Sequence, residues 1–176
     1  MKKLRFLMLD ACVVIKLFEL GLWRQLCDQS EIILADTVVA EEVQFYLDEQ
    51  AERQEIDLSH DIRDRRVSVV SVGVDTLKRF FDRFDPVYAE RLDPGEKESL
   101  AYLFSSNDPC VICSSDAIVF RVLAWTNRQD QGLSLEEVLQ AVGLGRALPE
   151  EYTKRSRPRW TQQGQQDMIR GIGIKH

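Results

Sequence analysis

The residues of this chain best suited to chemistry are four acids: Asp10, Glu42, Glu96 and Asp116. Each stands in an apolar context, where a carboxylate is costly unless something compensates it. Asp10 closes the run Leu4-Arg5-Phe6-Leu7-Met8-Leu9 and is followed at once by Val13-Val14-Ile15. A short run of this kind reads as a buried strand, and the carboxyl end of such a strand is where open α/β sheets keep their ligands. Asp116 follows Cys113-Ser114-Ser115 at the end of a second apolar run, the same topological place. On a helical wheel drawn from residue 37 to 47, Val39, Val43, Tyr46 and Leu47 form the apolar face. Glu42 falls within that face and Glu41 points to water. Glu96 projects onto the face of Leu100, Ala101, Leu103 and Phe104, whereas Glu98 projects away from it. Carboxylates sharing one cleft raise each other's pKa unless a cation neutralises them. An all-oxygen set suits Mg²⁺ or Mn²⁺ better than zinc, and such an ion suggests phosphate chemistry.

Each acid also has a simpler reading. Asp10 and Asp116 are good N-caps for the helices that follow them. Glu42 could sit in a buried ion pair. Asp93-x-x-Glu96, with Pro94 at the first helical position, is an Asp-led capping box. The set of four says more than its members: two acids lie at strand ends and two on inward faces near helix starts, and a parallel sheet brings all these positions to one edge.

The elements that must position them alternate. Strands are expected at 4–9, 31–34, 67–72 and 110–113, and helices after Asp10, over 37–52, 76–84 and 93–104, and after Asp116. A charged stretch at 60–66 reads as a solvated connection, Asn107-Asp108-Pro109 as a turn, and Ser134-x-x-Glu137 as a capping box before a helix with Gly143 near its end. This alternation predicts a three-layer α/β/α fold with a central parallel sheet. The boundary expected is a domain over 1–150 and a basic, mobile C-terminal tail over 151–176, where apolar periodicity fades.

The chain has 176 residues and a hydrophobic share of 44%, enough for one domain with a real core. No apolar stretch is long enough to span a bilayer, and the run after the basic Met1-Lys2-Lys3 ends too soon for a signal peptide, so a cytoplasmic protein is expected. The net charge of −6 is unevenly spread: beyond residue 150, six Lys/Arg face only Glu151 and Asp167, which is +4 and leaves −10 for the rest. An acidic body with a basic end argues against a constitutive nucleic-acid coat and for an end that meets phosphate or an acidic partner. Cys12, Cys27, Cys110 and Cys113 do not complete a zinc site. In Cys110-Val-Ile-Cys113, strand alternation would aim the two sulfurs at opposite faces.

The ordered set of acids resembles the PIN domain, a family of metal-dependent ribonucleases that includes the toxins of many bacterial toxin–antitoxin pairs. Leu7-Met-Leu-Asp10-Ala-Cys-Val-Val-Ile15 is similar to the family's first motif and Thr37-Val-Val-Ala-Glu-Glu42-Val43 to its second. Asp93-Pro-Gly-Glu96-Lys-Glu98-Ser-Leu-Ala101 is similar to a Gly-Glu-x-Glu third motif, in which either Glu96 or Glu98 could be the acid; the wheel favours Glu96. Cys113-Ser-Ser-Asp116 is similar to the fourth. The match runs from about residue 4 to 125. It implies Mg²⁺ or Mn²⁺ as cofactor, single-stranded RNA as substrate, Asp10, Glu42, Glu96 and Asp116 as metal-holding and catalytic residues, and an antitoxin or a second copy as partner. Ala11 stands where many members carry Ser or Thr after the first acid, and the family's last strand is hard to find in the polar stretch 125–132.

Two other classes are weaker. A catalytically silent PIN-like binding module has no need of buried carboxylates. A haloacid-dehalogenase-type phosphatase wants a second Asp two residues after the first, where this chain has Cys12. Gly143-Leu-Gly145 is a lone GxG with no strand before it and does not mark a dinucleotide site.

Overall fold

A computed structural model of the protein describes residues 4–107 and 109–175. The basic start at Met1-Lys2-Lys3, Asp108 of the expected turn and His176 lie outside the described residues. Strand β1 (Leu4–Leu9) leads through Asp10 into helix α1 (Ala11–Glu19) and then α2 (Trp23–Gln29). Strand β2 (Ser30–Ala35) runs into a π-helical turn, Val38–Glu42, and a hairpin of β3 (Phe45–Leu47) and β4 (Arg53–Glu55). Then come α3 (Ser59–Arg63), β5 (Val67–Val70), α4 (Val74–Phe81), α5 (Pro86–Ala89) and α6 (Pro94–Ser105). Strand β6 (Val111–Cys113), α7 (Ala117–Trp125), β7 (Gly132–Leu133), α8 (Leu135–Ala141) and α9 (Ser156–Ile169) complete the order.

The five-stranded sheet has the order β5-β2-β1-β6-β7 with every pairing parallel. Strand β1 is central because its residues are apolar on both faces. Leu7 and Leu9 join one core with Val13, Val14 and Leu17 of α1, Trp23 and Leu26 of α2, and Leu135, Val138 and Leu139 of α8. Met8 faces the other core, with Phe80, Leu100, Leu103 and the apolar residues of α7. The same alternation divides Ile32 and Leu34 from Ile33 in β2, and Cys113 from Cys110 at β6. The result is the expected three-layer α/β/α arrangement. From β1 the chain builds outward through β2 to β5, then returns to β6 on the other side of β1. The gap beyond the carboxyl ends of β1 and β6 is therefore the topological switch point, the crevice where open parallel sheets bind ligands. Among the described residues, no helix is long and apolar enough to cross a membrane.

Three expectations change. The helix expected over 37–52 stops at Glu42. Val43 leaves helical geometry (φ −94°, ψ 77°), and the Asp48 carboxylate accepts from the N–H groups of Gln50 and Glu52 to close a hairpin turn. A side chain that satisfies local backbone donors in this way competes with the helix. Within β3, Tyr46 packs inward on Phe18 while Phe45 and Leu47 are exposed, a period of two rather than 3.6. The charged stretch at 60–66 is not merely a connection, since it contains most of α3.

The third change concerns the tail. Residues 156–169 form α9, which packs along α7. Its docking does not rest on an apolar stripe. A Cβ on Gly164 would lie 2.8 Å from the Arg121 carbonyl oxygen, so only glycine lets the two helices approach. Asp167, 3% exposed, is paired with Arg121 at 2.6 Å, and Trp160 packs on the second core. Pro158 is tolerated because it falls in the first turn, where no intrahelical N–H bond is lost.

Candidate metal centre

Asp10 leaves β1 at the switch point and N-caps α1. Its Oδ1 accepts from the Ala11 N–H at 2.8 Å, and its Oδ2 from the Ser114 hydroxyl at 2.8 Å and the Cys12 thiol at 3.3 Å. The residue is 4% exposed. Burial pushes its pKa up, Asp116 adds to the rise, and the three donors only partly offset it. The same burial, together with Asp10, holds the Cys12 thiol well above its ordinary range.

Asp116 lies three residues beyond β6 and N-caps α7, with Oδ1 accepting from the Ile118 N–H at 2.9 Å. It is exposed, at the rim of the crevice. Ser114, fully buried, joins the two acids. It accepts from the Asp116 N–H at 2.9 Å and donates to Asp10.

Glu96 enters from the first turn of α6. Its Oε2 accepts from the Asp93 N–H at 3.0 Å, the reciprocal half of the capping box, and the side chain is 3% exposed. Burial, then Asp10 and Asp116, push its pKa from the ordinary 4.5 up to about 9. Capping and proximity to the other acids thus coexist in one residue. Glu42 ends the π-helical turn and is half-buried; its Oε1 accepts from the Gly95 N–H at 2.7 Å. Its pKa is raised by burial, with Asp10 and Asp93 adding and the Gly95 N–H opposing. A Cβ on Gly95 would collide with Glu42 Oε2 and lie 2.6 Å from Val38 Cγ2, so glycine is required for this approach.

The wheel misplaced Glu98. It does not face water but is 6% exposed, and it bridges two backbone segments by accepting from the Thr37 N–H at 2.9 Å and the Val72 N–H at 3.0 Å. Burial alone would raise its pKa, but these donors, with the Thr37 and Ser71 hydroxyls, outweigh burial and hold it below the ordinary value. With both oxygens engaged, it ties the ends of β2 and β5 to α6.

All four expected acids thus come to the carboxyl edge of the sheet, where Asp10 raises the pKa of Glu42 and Glu96, and Asp116 that of Asp10 and Glu96. Not expected at the site were Ser114, quoted only within a motif and here the bridge, and Asp93, read only as a cap and here a fifth charge felt by Glu42 and Glu96. Hydroxyls and caps next to an acid motif were the available signal. Glu42, Glu96 and Asp116 each have one oxygen pinned by a backbone N–H and the other without a hydrogen bond among the described residues. This oxygen-only donor set fits a hard divalent cation. The fit is an open one, since among the described residues no three His, Cys, Asp or Glu side chains close around a common point. An ion here would take one or two carboxylates directly and complete its shell with water. A cavity of about 640 Å³ near the amino ends of β2 and β5 includes none of these acids and has a mixed lining that includes Asp28, Glu31, Arg65 and Arg66. Comparison with family models, curated proteins and solved structures gives no match.

Proposed function

We propose that this protein is a Mg²⁺/Mn²⁺-dependent endoribonuclease of the PIN-domain kind, hydrolysing phosphodiester bonds of single-stranded RNA. The observation that carries the reading is the gathering of Asp10, Glu42, Glu96 and Asp116, from four separate stretches of chain, at the switch point of a parallel sheet. Burying Asp10 and Glu96 close together destabilises their charged forms, and a cation relieves that cost. When bound, the ion would supply Lewis-acid stabilisation of the phosphoryl oxygens and a more acidic water.

The chain's own residues do the positioning. Three donors fix the Asp10 carboxylate. Helix starts fix Glu96 and Asp116, which leaves their second oxygens for the ion or its waters. Glu42 is held against the Gly95 N–H, with its second oxygen left for the ion or its waters. Glu96, its pKa pushed up to about 9, holds a proton near neutral pH and would give it up to make way for an ion. Lys154, Arg155 and Arg159 are exposed on the C-terminal segment and could track an RNA backbone, as basic grooves do in single-strand binders. A role as the toxin of a toxin–antitoxin pair, with an antitoxin Arg or Lys entering the acid cleft, and homodimer formation rest on the PIN resemblance.

The second reading is a catalytically silent PIN-like binding module. The open spacing of the acids favours it. A labelled single-stranded RNA separates the two. The nuclease reading expects cleavage with Mn²⁺, none in EDTA, and a loss of about 100-fold or more in Asp10→Asn. Equal cleavage by wild type and Asp10→Asn, or cleavage that survives EDTA, would contradict it.

A further inference from the structure

The C-terminal segment does more than cover α7, because one of its side chains reaches residues that hold Asp10 in place. Tyr152, 8% exposed, lies with its hydroxyl 3.5 Å from the Cys12 carbonyl oxygen and against the Ser115 hydroxyl. Ser115 donates to Cys12 Sγ at 3.1 Å, and Cys12 in turn donates to Asp10 Oδ2 at 3.3 Å. Ser115 thus holds the thiol whose hydrogen points to the carboxylate. A continuous line of polar contacts therefore joins Tyr152 to Asp10, with Ser115 and Cys12 between them.

The segment holding Tyr152 is firmly seated. Ser156 Oγ donates to the Glu150 carbonyl at 2.6 Å, and the Lys154 N–H donates to Glu136 at 2.7 Å. Arg157 makes a two-pronged contact with Glu137 at 2.7 and 2.8 Å. The Lys16 ammonium stands over the Tyr152 ring, 5.4 Å from its centre. These contacts fix a short turn against α1 and α8 and place Tyr152 beside Cys12 and Ser115.

We infer that Cys12, Ser115 and Tyr152 are positioning residues for Asp10, so that the segment after residue 150 forms part of the metal centre. Cys12 donates to the carboxylate, Ser115 orients the Cys12 thiol by donating to its sulfur, and Tyr152, packed on the Cys12 carbonyl, keeps the pair from turning away. Outer partners of ligating groups commonly set metal affinity through such contacts. Cys12 also supplies locally the kind of donor that Ala11 cannot. The inference rests on the metal-dependent reading above.

The test is Mn²⁺ binding to the full chain by calorimetry, with the thermal midpoint measured for each variant. Cys12→Ala removes the donor to Asp10 and should weaken binding by about 10- to 100-fold, the usual effect of losing an outer partner. Cys12→Ser keeps a donor and should restore binding to within a few-fold of wild type. Tyr152→Phe removes one hydroxyl only and should weaken binding by several-fold with little change in midpoint. Wild-type binding that persists unchanged in Cys12→Ala and Tyr152→Phe, or midpoints that fall while affinity stays constant, would overturn the positioning role and leave the nuclease reading standing. Absence of Mn²⁺ binding by the wild type would overturn both.

Discussion

Two glutamates two residues apart, both buried, have opposite roles. Glu98 has a backbone donor for each oxygen and its charge is favoured. Glu96 has one, faces Asp10 and Asp116, and its charge is disfavoured. Glu98→Ala should therefore cost about 1–3 kcal/mol, the penalty for stranding the Thr37 and Val72 donors, while Mn²⁺ binding survives in the folded protein; chemical denaturation and calorimetry read the two effects. Glu96→Gln should do the reverse, abolishing binding at little cost to the ion-free protein. The pH dependence follows from the direction of the shift. A carboxyl whose folded pKa lies above its unfolded value binds more protons when folded, so stability falls as pH rises between 4.5 and about 9. Thermal midpoints of the ion-free protein should decline across that window. Mn²⁺ or Glu96→Gln should reduce the slope, and a slope unchanged by both would show that Glu96 is not the group responsible.

Among the elements, β1, β2, β5 and β6 and the helices that begin at acids were legible in sequence, because burial leaves continuous apolar runs and N-caps have a distinct chemistry. The helix expected over 37–52 was not. Its wheel placed Glu42 inward, but the side chain reaches the site from the end of a π-helical turn, and the Asp48 turn that cuts the helix short is a local polar effect that periodicity does not register. Strand β7, with only Gly132 and Leu133, is too short for any pattern to announce it. The wheel also misjudged Glu98, because the backbone donors it satisfies come from residues 26 and 61 positions away. Gly95 was quoted within a motif but its need was invisible: a Cβ there meets Glu42 and Val38 across the fold. Gly95→Ala should accordingly cost about 1–3 kcal/mol through overpacking and weaken Mn²⁺ binding by displacing Glu42. Urea denaturation and calorimetry on the one variant check both parts.

For the molecule as a whole, the three-layer plan was legible and the part played by its C-terminal end was not. The reason is that α9 docks through Gly164, a buried ion pair and one tryptophan, none of which makes a periodic apolar signal. Removing one partner of a buried pair strands the other, so Asp167→Ala should cost about 3–5 kcal/mol, seen as a marked fall in thermal midpoint. A midpoint like that of wild type would mean that α9 contributes little to the fold. Whether the gathered carboxylates hold a divalent cation is tested most directly by Mn²⁺ calorimetry on the wild type beside the Asp10→Asn/Glu96→Gln double variant. The prediction is wild-type binding in the micromolar-to-millimolar range, accompanied by proton release near neutral pH, and none in the double variant. Equal binding by both proteins, or by neither, would contradict it.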